Sequence, residues 1–168
     1  VNTHLRYVVA STPGHYQAVH RFLREEGVEE KQHLAFPTIM AFDADDDLVG
    51  VCGTRIVDKM ILAGPLMVRT DYRRLFTILR LCEAYEAAMS QIGVSTFILS
   101  VEHGSILQRG MERYFPDEKP YATEGNYDYY AWKVRAYGHQ RQRAGSISGR
   151  EGPTEESGRA SSAPAPDY

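Results

Sequence analysis

The chain is poor in cysteine, with two residues, Cys52 and Cys82, well separated in the sequence and set among apolar neighbours. That spacing excludes a disulfide framework and, with no Cys/His cluster, a zinc site. They read as small buried hydrophobes in a reducing compartment. No apolar run approaches the roughly 18 residues of a membrane span. The N-terminus lacks a basic segment followed by an apolar one, so no signal peptide is expected and the expected setting is cytoplasmic. No charge of one sign dominates: the formal net charge is -3. A global attraction to nucleic acid or membrane is therefore not expected. Also missing are a P-loop, a dinucleotide fingerprint and a GxSxG elbow.

What is present suits one globular domain. Of the 168 residues 43% are hydrophobic and 24% charged, enough to build a core without staples. Residues 5–10 read as a strand. Thr12 and Pro13 then suit the N-cap and first turn of a helix carrying Tyr16, Val19, Phe22 and Leu23, with Gly27 as its stop. Residues 29–37 are polar and irregular, with room for a short helix. Three strands follow, at 38–43, 48–57 and 60–69. Gly64-Pro65 interrupts the third, because proline has no ladder donor, and a bulge or an opening in the sheet is expected there.

A long helix follows, capped by Thr70 or Asp71 and ended by Gly93. Its apolar face is Leu75, Ile78, Leu79, Cys82, Tyr85, Met89 and Ile92. Residues 94–101 form a buried, partly parallel strand. Ser105 caps a short helix whose apolar face holds Ile106, Leu107, Met111 and Tyr114. Residues 127–134 form the last strand. From about residue 136 the composition turns to Gly, Ser, Pro, Arg and Glu, which cannot repay the entropy of ordering. The chain thus divides into a folded domain, 1–135, and a disordered tail, 136–168, available to an assembly partner. The fold class is α/β with a mixed sheet of about six to seven strands and helices on both faces.

Several constellations carry no chemistry. The acidic run Asp43, Asp45, Asp46 and Asp47 has Leu48 and Thr54 where a calcium loop needs glycine and a carboxylate, so it reads as a hairpin turn. Tyr121, Tyr127, Tyr129, Tyr130 and Trp132 lack an adjacent basic stripe and read as sheet-face packing rather than base stacking. Arg135, Arg141, Arg143 and Arg150 are diluted by acidic neighbours and give no strong nucleic-acid signal. No metal site is expected.

The order strand, helix, three strands, long helix, strand, short helix, strand resembles the GNAT superfamily of acyl-CoA N-acyltransferases. The resemblance spans roughly residues 5–134 and is mostly topological. In that family the fourth strand ends in Val and enters a Gln/Arg-x-x-Gly-x-Gly/Ala loop that opens the long helix and cradles the coenzyme A pyrophosphate. Here Val68 fits the strand end and Arg73 the Gln/Arg position. Phe76 and Ile78 stand where the family carries glycine. The resemblance implies acetyl-CoA as the acyl donor, an amine-bearing acceptor, and a coenzyme site at Leu66, Met67, Val68, Arg73, Arg74, Phe76 and Thr77. Backbone N–H groups around 64–67 would polarise the acyl carbonyl.

Glu102 and His103, at the end of the central strand, are the candidates for the base. The family's general acid is a Tyr on the following helix. Aligning Phe115 with the family's Phe puts Gly110 at that position, and Tyr114 is the nearby candidate. The missing glycines and Tyr leave open a second reading: a GNAT-fold protein without catalysis. It would be a binding or structural component, such as the internal virion proteins of short-tailed phages that the chain also resembles.

Overall fold

The computed structural model describes residues 4–28 and 33–135. The first strand, β1, is Arg6–Val9, and the first helix, α1, is Pro13–Glu25. Thr12 Oγ1 accepts from the N–H of His15, and Pro13 occupies the first turn, where its missing N–H is harmless. Gly27 follows with a φ of 78°, the left-handed conformation that ends a helix without a Cβ penalty.

The antiparallel strands β2 (Ala35–Phe42), β3 (Leu48–Val57) and β4 (Met60–Val68) come next. A short 3-10 turn, Thr70–Tyr72, leads into helix α2, Leu75–Gln91. Strand β5 is Thr96–Glu102, helix α3 is Ile106–Tyr114, and the hairpin β6 (Ala122–Glu124) and β7 (Tyr127–Lys133) completes the order. The sheet runs β1-β2-β3-β4-β5-β7-β6, with β4 and β5 as its parallel pair.

Strand alternation divides the core. Ile39 and Ala41 pack under α2, while Met40 packs with Val19, Phe22 and Leu23 of α1. On β5, Phe97, Leu99 and Val101 join Leu107 and Met111 of α3. Ile98, Ser100 and Glu102 therefore face the other way, on the side that carries α1.

Four expectations need correction. Strand β2 starts at Ala35, so the region up to Pro37 holds no helix from residue 33 on; residues 29–32 lie outside the described residues. The long helix is not capped by Thr70 or Asp71, which form the 3-10 turn; its N-cap is Arg74. Its buried face is also rotated, with Thr77, Leu81, Glu86 and Ala88 inside and Ile92 exposed. Tyr114 is half exposed rather than on the core face of α3, where Gly110 is buried against Leu75. The segment 136–168 lies outside the described residues.

Candidate functional site

The site begins where two strands part. Strand β4 follows β3 along its length but pairs with β5 only at Leu62–Ile98 and Ala63–Leu99. Gly64 comes next with a φ of 142°, a conformation open to glycine, and Pro65 has no N–H to give. The register with β3 slips at the same place, between Cys52 and Thr54. Pro65 lies against Gly53, where a Cβ would come within 3.2 Å of its Cδ. Beyond this bulge β4 and β5 diverge and leave a cleft of about 740 Å3. Leu66, Met67 and Val68 line one wall, Ser100 and Glu102 the other, with Ile106 of α3 beneath.

The far end of the β4 wall meets the N-terminus of α2. The connecting loop is held at both ends: the N–H of Arg69 donates to Val49 O at 2.8 Å, and the Tyr72 hydroxyl donates to Asp43 Oδ2 at 2.6 Å. That hydrogen bond holds the Asp43 carboxyl below, and the Tyr72 phenol above, their ordinary values. Asp43 Oδ1 also accepts from the N–H of Asp45 and of Asp47, so the acidic turn of β2–β3 anchors the loop. Arg74, the N-cap, supplies no side-chain hydrogen bond. The first-turn N–H groups of Leu75, Phe76 and Thr77 are thus left without a capping side chain, and the dipole adds positive potential there. Arg73 folds back, donating from Nε to Val68 O at 3.1 Å and lying 4.0 Å from Glu26. Phe76 turns outward, 65% exposed, with the Arg80 guanidinium 4.9 Å from its ring centre. Ile78 is buried and lines the cleft.

The cleft gathers Leu66, Met67, Val68, Arg73 and Glu102. Arg74, Phe76 and Thr77 sit at the helix start beside it, with Thr77 buried. His103 and Tyr114 lie elsewhere. Glu102 and His103 are neighbours in sequence, but β5 ends at Glu102 and His103 turns away to Asp128 of the β6–β7 hairpin. His103 Nε2 is 3.1 Å from Asp128 Oδ1, which also accepts from Thr123 Oγ1 at 2.6 Å. These contacts, Thr123 first, hold the Asp128 carboxyl below its usual value. Tyr114 lines a separate apolar cavity of about 110 Å3 between α2, α3 and the sheet. Cys52 and Cys82, distant in sequence, line that same cavity as free thiols. Burial pushes the Cys82 thiol up to about 12 and raises Cys52 as well.

Sequence reasoning missed Arg55, Ser100 and Tyr129, all of which line the cleft. For Arg55 a signal existed: it is the one charged residue in the ten-residue strand Leu48–Val57.

The fold is similar to solved acetyltransferases. A putative acetyltransferase from Acinetobacter baylyi ADP1 matches with a TM-score of 0.60 and 10% identity, over 80% of this chain and 95% of that one. A GNAT-family acetyltransferase from Staphylococcus aureus Mu50 matches at 0.55 and 11%, over 78% and 99%. A putative N-acetyltransferase from Lactobacillus plantarum matches at 0.55 and 14%, over 78% and 99%. No protein-family sequence model matches the chain, and no curated protein matches it in sequence. The seven-stranded sheet that parts between β4 and β5 therefore has the fold of these acetyltransferases, on a sequence only 10–14% identical to theirs.

Proposed function

We propose that the protein transfers an acyl group from acetyl-CoA to an amine. The observation that carries this reading is the parting of β4 from β5, which opens a cleft ending at the uncapped N-terminus of α2. Acetyl-CoA supplies an activated acyl group: the amine nitrogen bonds to the thioester carbon, the C–S bond breaks, and the thiol is released.

The residues fit such a donor. Past Ala63 the edge of β4 facing the cleft has no strand partner, so alternate N–H groups there are free to hydrogen bond an amide-bearing chain or an acyl oxygen. Leu66, Val68 and Ile78 give an apolar wall. The first turn of α2 offers N–H groups to a pyrophosphate, and the exposed Arg74 adds charge beside them. Glu102, exposed at the end of β5, takes the proton from the attacking amine. It has a single weak side-chain contact, Asn126 Nδ2 at 3.5 Å, and so is free to accept. His103 and Tyr114 have no part in this scheme. The virion-component alternative has no observation in its favour among the described residues.

The test is release of free thiol from acetyl-CoA in the presence of primary amines. Amine-dependent release is expected, and Glu102→Gln should slow it by roughly 10²–10⁴-fold, the range of a lost general base. Absence of amine-dependent release, or an unchanged rate in Glu102→Gln, would contradict the proposal.

A further inference from the structure

Arg55, half-buried on the cleft wall, has no part in the acyl-transfer scheme. Its Nε is buried and has no hydrogen-bond partner among the described residues. No ion pair engages its guanidinium there either. Arg55 pairs across the sheet with Leu62, at the root of the fork where β4 leaves β5. Gly64 lies between the two side chains: a Cβ there would sit 3.5 Å from Arg55 Nη2 and 3.9 Å from Ser100 Oγ. The guanidinium thus stands beside the Ser100 hydroxyl on the same face as Glu102.

The spacing says which anion it serves. Four residues of β4 separate Gly64, beside the guanidinium, from Val68, about 13 Å at a strand's rise, so a pyrophosphate at the start of α2 is out of its reach. Glu102 lies two residues beyond Ser100, roughly 7 Å along β5. This part of the cleft therefore carries a cation and an anion roughly 7 Å apart along the strand, a span that a small molecule bearing both an amine and a carboxylate can bridge. A guanidinium fork with a neighbouring hydroxyl matches a carboxylate, and Glu102 matches an amine.

We propose that Arg55, with Ser100, is a carboxylate subsite, and that the acceptor is a small amine bearing its own carboxylate, of the amino-acid class. This rests on the acyl-transfer reading for the role of the amine, but the subsite can be tested without turnover. The melting temperature of the full chain is measured with millimolar alanine, phenylalanine, serine or lysine. Each is compared with ethylamine, phenethylamine, ethanolamine or cadaverine, the amine lacking the carboxylate, at matched ionic strength. Acetyl-CoA is titrated in parallel.

At least one amino acid is expected to raise the melting temperature by about 2–4 °C where its amine does not. Arg55→Gln should abolish that shift and Arg55→Lys retain part of it. In both variants an intact acetyl-CoA shift reports that the fold survives. Under turnover, Arg55→Gln should raise the KM for the amino acid about tenfold or more, with the KM for acetyl-CoA unchanged. Equal stabilisation by the bare amines, a shift that survives Arg55→Gln, or no shift with any amino acid would overturn the subsite. An Arg55-dependent amino-acid shift without any acetyl-CoA shift would uphold the subsite and contradict the acyl-transfer reading.

Discussion

Glu86 shows how a single residue ties the last strand to the long helix. It is 2% exposed, and its carboxylate accepts from the Arg135 backbone N–H at 2.6 Å and from its guanidinium at 3.2 and 2.9 Å. Removing it strips a charge-assisted cluster from a buried position. Glu86→Ala should lower unfolding free energy by about 3 kcal/mol in a urea titration. An unchanged midpoint would mean that the cluster contributes nothing net. The cysteines allow a second check. With Cys52 buried, Cys82 half-buried and both pKa values raised, the native chain should react only slowly with a thiol reagent at neutral pH and react fast at two sites once unfolded. At this scale the sequence was legible only in part. Glu102 could be found because strand ends carry ligands in open sheets. The separation of Glu102 from His103 could not, because it depends on where β5 ends and on a partner, Asp128, from a distant hairpin.

Among the elements, strands and helices were easier to read than their junctions. β3 was legible end to end, since its apolar run is closed by the turn residues on both sides. β6 was not, because its three residues are all exposed and carry no apolar alternation. The start of α2 misled for a specific reason. Thr70 and Asp71 are good caps by local rule, but Tyr72 is drawn to Asp43 across the sheet, and the helix begins only after that tether. The tether has a pH signature. The Asp43 carboxyl titrates lower folded than unfolded, so the stability it adds is present above the ordinary carboxylate range and lost as pH falls through the lowered value. Tyr72→Phe should therefore be less stable than the wild type at neutral pH, and the gap should close in acid; a constant gap would contradict the assignment. The bulge is testable too. Gly53→Val must displace Leu34 or Pro65, whose atoms lie 3.0 and 3.2 Å from the site of a Cβ. A loss of roughly 1–3 kcal/mol is expected, the range for overpacked sites.

For the molecule as a whole, element order was enough to suggest the architecture, because a hairpin series followed by a long helix and a parallel strand admits few connections. Gly64-Pro65 even marked where the sheet would open. What the order could not tell was whether the opening remains usable with Phe76 and Ile78 in place of glycines. In the structure Phe76 leaves the helix start for solvent and Ile78 becomes cleft wall, so the two substitutions reshape the site without closing it. The central claim, that this cleft and the N-terminus of α2 bind an acyl-CoA, is tested most directly by thermal unfolding of the full chain against acetyl-CoA, beside Arg74→Glu. That substitution places an anion at the N-cap, which suits the helix dipole but repels a pyrophosphate. The account expects stabilisation approaching about 2.7 kcal/mol at a hundredfold excess over the dissociation constant, and its loss in Arg74→Glu without loss of the ligand-free melting temperature. No shift at millimolar acetyl-CoA, or an equal shift in Arg74→Glu, would contradict it.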